Sequence, residues 1–76
     1  MEEKLRNALA DALEMELDDI NLSDIFRDYE NYDSLTELSV FAMLDEEFGI
    51  ELEMEEYKQY ITVRDLLKLV KTRSIS

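Results

Sequence analysis

The chain contains no cysteine, no histidine, no proline and a single glycine. Without cysteine there is no disulfide and no thiolate metal site. With neither cysteine nor histidine, the usual nucleophile–base pairs of covalent catalysis are missing. Positive charge is scarce as well: eight Lys and Arg stand against twenty Asp and Glu, a net charge of −12. Nucleic-acid binding needs Lys and Arg to neutralise phosphates, so nucleic acid is disfavoured as a partner, and anionic membrane for the same reason. Partners with basic patches are expected instead. No apolar run approaches membrane-spanning length, and Met1–Arg6 is too charged for a secretory signal, so the expected location is cytoplasmic. No repeat or low-complexity linker interrupts the 76 residues. We expect one monomeric domain over residues 1–76, with a modest core and a frayed end over 72–76.

What is present is unevenly distributed. Between Asp28 and Glu56 there are eleven acidic residues and no Lys or Arg; the basic residues lie outside that stretch, towards the two ends. One face of the fold should therefore be strongly negative, beyond what solubility alone explains.

Four helical segments are predicted. Leu5, Leu9, Leu13 and Leu17 recur every four residues, with Ala8 and Ala12 beside them, which predicts a helix over about 2–17. The period breaks over 18–33, a long loop with a helical turn expected near Ser23–Phe26 and with Ile20, Leu22 and Phe26 as its anchors. The second helix is expected over 34–48, ended by Gly49 as its C-terminal cap. Its start is ambiguous: Ser34-x-x-Glu37 fits a capping box, and Asp33 fits the N-cap equally well. A short third helix is expected over about 55–60, and a fourth from Thr62, with Asp65 three residues on and Val63, Leu66, Leu67 and Val70 on one stripe. The fold class is all-α, a small four-helix bundle with a long first loop.

The second helix is apolar on two sides. At 100° per residue Val40, Phe41, Leu44 and Phe48 share the core side, while Leu35, Leu38 and Ala42 fall nearly opposite, among Ser39, Asp45 and Glu46. So small a domain cannot bury both. Isolated exposed apolar residues are ordinary, but three aligned below Ser34 and flanked by acids suit a docking surface on which charge steers the encounter.

Asp33-Ser34-Leu35, followed by Thr36-Glu37-Leu38-Ser39-Val40-Phe41-Ala42-Met43-Leu44-Asp45-Glu46-Glu47-Phe48-Gly49-Ile50-Glu51-Leu52, resembles the attachment serine and recognition helix of acyl carrier proteins. Ile61-Thr62-Val63-Arg64-Asp65-Leu66 is similar to the start of that family's last helix. The resemblance implies that Ser34 is esterified to 4′-phosphopantetheine taken from coenzyme A by a phosphopantetheinyl transferase. It makes Asp33 and Leu35 the motif neighbours, and Leu35, Leu38, Ala42, Asp45 and Glu46 contacts for acyl-transferring or condensing enzymes with basic docking patches. It also places an acyl pocket among Glu37, Val40, Phe41, Leu44, Leu52, Tyr57, Tyr60 and Leu66. A serine in a helix's first turn suits a phosphodiester, because unpaired N–H groups and partial positive charge gather there.

The chain departs from the family pattern in three places. Asn31 stands two residues before Asp33, where the family usually has Gly; Asn also tolerates left-handed backbone angles. Thr36 and Ser39 occupy recognition positions that are often acidic, so partner choice is expected to differ from that of a housekeeping fatty-acid carrier. Phe41, Tyr57 and Tyr60 crowd the pocket region and Glu37 projects at its mouth, so these aromatics either close a pocket or simply fill core volume. The acid pairs Asp45/Glu46 and Glu55/Glu56 read as solvated helix faces, and no EF-hand spacing surrounds Gly49, so no metal site is expected. The expected function is a non-enzymatic carrier of acyl thioesters in fatty-acid, polyketide or related biosynthesis. An aminoacyl, D-alanyl or peptidyl carrier and an unmodified acidic interaction module remain the alternatives.

Overall fold

Leu5, Leu9 and Leu13, spaced one helical turn apart, are all completely buried, and they set the inner stripe of the first helix. The computed structural model describes residues 2–73. Four α-helices follow in order: α1 Glu2–Leu13, α2 Ser34–Phe48, α3 Met54–Tyr57 and α4 Val63–Arg73. Among the described residues no strand forms; Ile25 and Thr62 make an isolated bridge. This is an all-α bundle of acyl-carrier type with a long first loop and a short third helix, as expected.

α1 packs on α2 and touches α4. The beginning of α1 lies beside the end of α2: Lys4 Nζ donates to the Glu47 carbonyl over 3.2 Å and sits 5.1 Å from the Phe48 ring centre. Val40, Leu44, Val63, Leu66 and Val70 complete the sealed interior with the leucines of α1. Ile20 and Phe26 are fully buried and Leu22 packs against the core, so the three expected anchors do tie the loop down. Arg6 of α1 holds the same loop through the carbonyls of Ile20 and Leu17.

Local boundaries differ from the sequence reading in four places. α1 stops at Leu13, and Leu17 instead opens a 3-10 turn, Leu17–Asp19. The chain reverses at Glu14, whose φ is 57°. Glu14 and Met15 N–H return to the carbonyls of Asp11 and Ala10, the pattern of a left-handed C-terminal cap. A left-handed non-glycine residue costs about 1–2 kcal/mol; these bonds, and two more donated by the Asn31 amide to the Leu13 and Glu14 carbonyls at 3.2 and 3.0 Å, offset it. Asn31 therefore acts through its side chain: Glu14 is the only non-glycine residue with positive φ among those described. The loop's second 3-10 turn is Phe26–Asp28, later than expected. α3 spans Met54–Tyr57 and does not reach Tyr60, because Arg27 takes the carbonyls of Tyr57 and Tyr60. α4 begins one residue after Thr62, which caps it: Asp65 Oδ2 accepts the N–H groups of Ile61 and Thr62, and Thr62 Oγ1 accepts that of Asp65. Thr72 and Arg73 are helical; the rest of the expected frayed end, 74–76, lies outside the described residues.

Candidate functional site

α2 is built as its sequence predicts, Ser34–Phe48 with Gly49 in the left-handed conformation at φ 67°. The ambiguity at its start resolves in favour of Asp33. The Asp33 carboxyl accepts the Thr36 N–H over 2.9 Å, and Thr36 Oγ1 accepts the Asp33 N–H over 2.7 Å. The capping box is thus Asp33–Thr36, not Ser34–Glu37. The Thr36 N–H, with smaller help from the Thr36 hydroxyl and the Leu35 N–H, holds the Asp33 carboxyl below its ordinary value. Ser34 is exposed, and its hydroxyl carries none of the capping bonds. A phosphodiester on that oxygen would meet solvent and the positive end of a 15-residue helix without disturbing the cap. The residues present therefore fit the group.

Beyond Ser34 the helix divides into two faces. Leu35 is 75% exposed and Leu38 62%, and Ala42, Asp45 and Glu46 share that outer surface. Thr36, Val40, Met43, Leu44 and Phe48 face inward. Phe41 is only partly buried, on the border between the two faces.

On the inner side, the residues assigned to a pocket come together as packed matter. Val40, Leu44, Tyr57 and Leu66 are fully buried; Phe41, Leu52 and Tyr60 pack partly exposed against the core, and Glu37 is half-buried. The Phe41 and Tyr57 rings lie 4.6 Å apart, and Phe26 packs on Tyr57 from another side at 5.8 Å. Tyr60 joins the arrangement through its carbonyl, which accepts from Arg27.

Two residues that sequence reasoning passed over organise this region. Tyr32 donates its hydroxyl proton to Glu37 Oε2 over 2.7 Å and stands 2.8 Å from the Tyr57 hydroxyl. A phenol has one proton to give, so Tyr57 is the donor to Tyr32, and a directed chain runs Tyr57 to Tyr32 to Glu37. Burial, reinforced by the bond donated to Glu37, pushes the Tyr32 hydroxyl far above the ordinary tyrosine range; burial likewise raises Tyr57. Both therefore keep their protons at neutral pH. Arg27 covers the other side. Its guanidinium lies 4.6 Å from the Tyr57 ring centre and 4.8 Å from that of Phe26, and it donates to the Tyr57 carbonyl over 2.6 Å. Their bonds to Tyr57 and Tyr60 span 25 or more residues and leave no local signal, although Glu37, the other partner of Tyr32, is only five residues away.

Known proteins resemble the chain in sequence. The sequence profile of a family described as "Phosphopantetheine attachment site" matches residues 3–70. An acyl carrier protein of Thermosynechococcus vestitus is 31% identical over 71 residues, covering 93% of this chain and 88% of that protein. One from Clostridium acetobutylicum is 31% identical over 72 residues, covering 95% and 94%. A third, from Treponema denticola, is 30% identical over 70 residues, covering 92% and 90%.

Proposed function

The chain belongs to the acyl carrier protein family, whose prosthetic group is covalent 4′-phosphopantetheine, and on that premise we propose that Ser34 carries the group here and that the outer face of α2 presents it to partner enzymes. One observation carries the proposal: Ser34 is exposed at the head of α2, its hydroxyl free of the cap that Asp33 and Thr36 make, directly above the exposed pair Leu35 and Leu38. Ser34 Oγ would displace adenosine 3′,5′-bisphosphate from coenzyme A, its proton passing to a base of the phosphopantetheinyl transferase, because this chain has no His or Cys to take it. The bound group supplies a terminal thiol that holds an acyl cargo as a thioester.

The protein's own part is presentation, and we assign it no catalytic residue. Leu35, Leu38 and Ala42 offer apolar area, and Asp45 and Glu46 meet basic side chains of acyl-transferring or condensing enzymes in fatty-acid, polyketide or related biosynthesis. Charge of this sign accelerates encounter and sets register more than it adds affinity. Among the described residues no helix is long and apolar enough to cross a membrane, and we place the protein in the cytoplasm as a single monomeric domain.

The test is intact mass. Apo protein incubated with coenzyme A and a broad-specificity phosphopantetheinyl transferase should gain one phosphopantetheine, and Ser34→Ala should gain none. No gain in the wild type, or an equal gain in Ser34→Ala, would sink the proposal.

A further inference from the structure

We infer that this carrier displays its cargo in solvent instead of in its core, because Tyr57, pinned by Tyr32 and Arg27, closes the way inward from Ser34; the cargo this suits is a short or polar acyl group. The inference rests on Ser34 being the attachment site. Ser34, Glu37 and Phe41 lie three and four residues apart on α2, so they stack along one edge of the helix. A chain turning inward from Ser34 meets the Glu37 carboxyl first, then the Phe41 ring, then Tyr57 packed 4.6 Å behind it.

Tyr57 is not a side chain that swings aside. It is 0% exposed, its hydroxyl donates to Tyr32, its ring packs against Phe26, Phe41 and the Arg27 guanidinium, and its carbonyl accepts from Arg27. Every buried side-chain polar atom among the described residues has its partner. An alkyl chain forced in here would separate the Tyr57 and Tyr32 hydroxyls and strand one of them among apolar atoms, while gaining no unfilled volume of its own. Beside Phe41 lies a groove of about 320 Å³, open to solvent and lined by Phe41, Ala42, Asp45, Ile50, Glu51 and Leu52. A chain lying there stays wet.

The experiment loads the full chain, through the transferase, from coenzyme A analogues whose thiol is replaced by an amide-linked two-carbon or twelve-carbon acyl group bearing a terminal fluorine label, and verifies each by intact mass. A chain sheathed in the native state stabilises it relative to the unfolded one, and one of this length would raise the melting temperature by on the order of 10 °C. We expect the two loaded forms to melt within about 2 °C of each other, with both labels fully quenched by a soluble paramagnet. In Phe41→Val/Tyr57→Leu, which takes both rings out of the path and leaves Tyr32 bonded to Glu37, the twelve-carbon form should melt above the two-carbon form and its label should become protected; equal melting of the two forms in this variant would show that Tyr57 is not what closes the way inward. A length-dependent rise with a protected label in the wild type overturns this inference and leaves the attachment proposal standing. Failure of the wild type to load removes the attachment proposal, and this inference with it.

Discussion

Replacing Tyr32 by Phe should damage this protein more than replacing Tyr57 by Phe, and replacing both should be milder than replacing Tyr32 alone. Tyr57→Phe removes one buried hydroxyl; Tyr32 keeps its bond to Glu37, so no donor is left without an acceptor. That loss is about 1 kcal/mol, the net value of an ordinary hydrogen bond. Tyr32→Phe removes the donor to Glu37 and also leaves the Tyr57 hydroxyl, in a residue with no exposed surface, without an acceptor. A stranded buried hydroxyl costs about 1–3 kcal/mol beyond the lost bond, so the total comes to about 3 kcal/mol. Tyr32→Phe/Tyr57→Phe deletes the stranded group, and about 1 kcal/mol should return. The coupling energy of the cycle is then about −2 kcal/mol, well outside the additivity expected of independent sites. In a domain of this size, whose whole stability is on the order of 4–11 kcal/mol, these differences are large. Urea unfolding followed by circular dichroism reads them as midpoint changes at constant slope. Equal effects of the two single substitutions, with a simply additive double, would refute the directed chain from Tyr57 through Tyr32 to Glu37.

Leu38→Ala should leave the unfolding free energy within about 0.5 kcal/mol of wild type, because the side chain is 62% exposed, while slowing acyl transfer to a partner enzyme; unfolding of this variant would mean that the outer face of α2 is misassigned. Raising salt should slow the same association, since screening weakens long-range attraction. Arg27→Ala should cost about 2–3 kcal/mol through its two carbonyl bonds and its stacking on Phe26 and Tyr57, and Arg27→Lys should recover only part, because an ammonium cannot stack or fork in the same way; hydrogen exchange that leaves the amides of 57–60 unchanged in Arg27→Ala would contradict this. Asp24, Asp33 and Asp65 are held below their ordinary 3.8, chiefly by the Tyr29 hydroxyl, the Thr36 N–H and the Thr62 N–H respectively. Lowered folded values mean that the unfolded chain binds protons first, so the stability these groups contribute is complete above 3.8 and is lost as pH falls through their folded values. Asp65→Ala should therefore differ most from wild type at neutral pH and converge on it in acid, a comparison in which the general relief of acidic repulsion cancels; a pH-independent difference would argue against the cap.

The parts of this protein that adjacent residues determine are those the chain announces. α2 is legible from end to end because a helical period, an N-cap within three residues and one glycine at the far end are local instructions. The exposure of Leu35 and Leu38 follows from the same period, since a helix apolar on two sides in a bundle this small must leave one side out. The same period places Ser34 in the first turn of α2, but it is the resemblance of residues 33–52 to acyl carrier proteins that makes it a candidate site before the fold. Tertiary structure decided what depends on distant partners. α1 stops at Leu13 because Glu14 reverses and Asn31, arriving from the long loop, takes the last carbonyls; the leucine period by itself runs on to Leu17. α3 ends at Tyr57, whose carbonyl is taken by Arg27 from 30 residues upstream. Tyr32 carries no signal as sequence and Tyr57 is marked only through the family resemblance; they become a hydrogen-bonded closure because the loop and α3 fold over the same edge of α2. A hydrogen bond between residues far apart in the chain leaves no local period or spacing to read, so Tyr32 and Arg27 come into view only when the chain is folded.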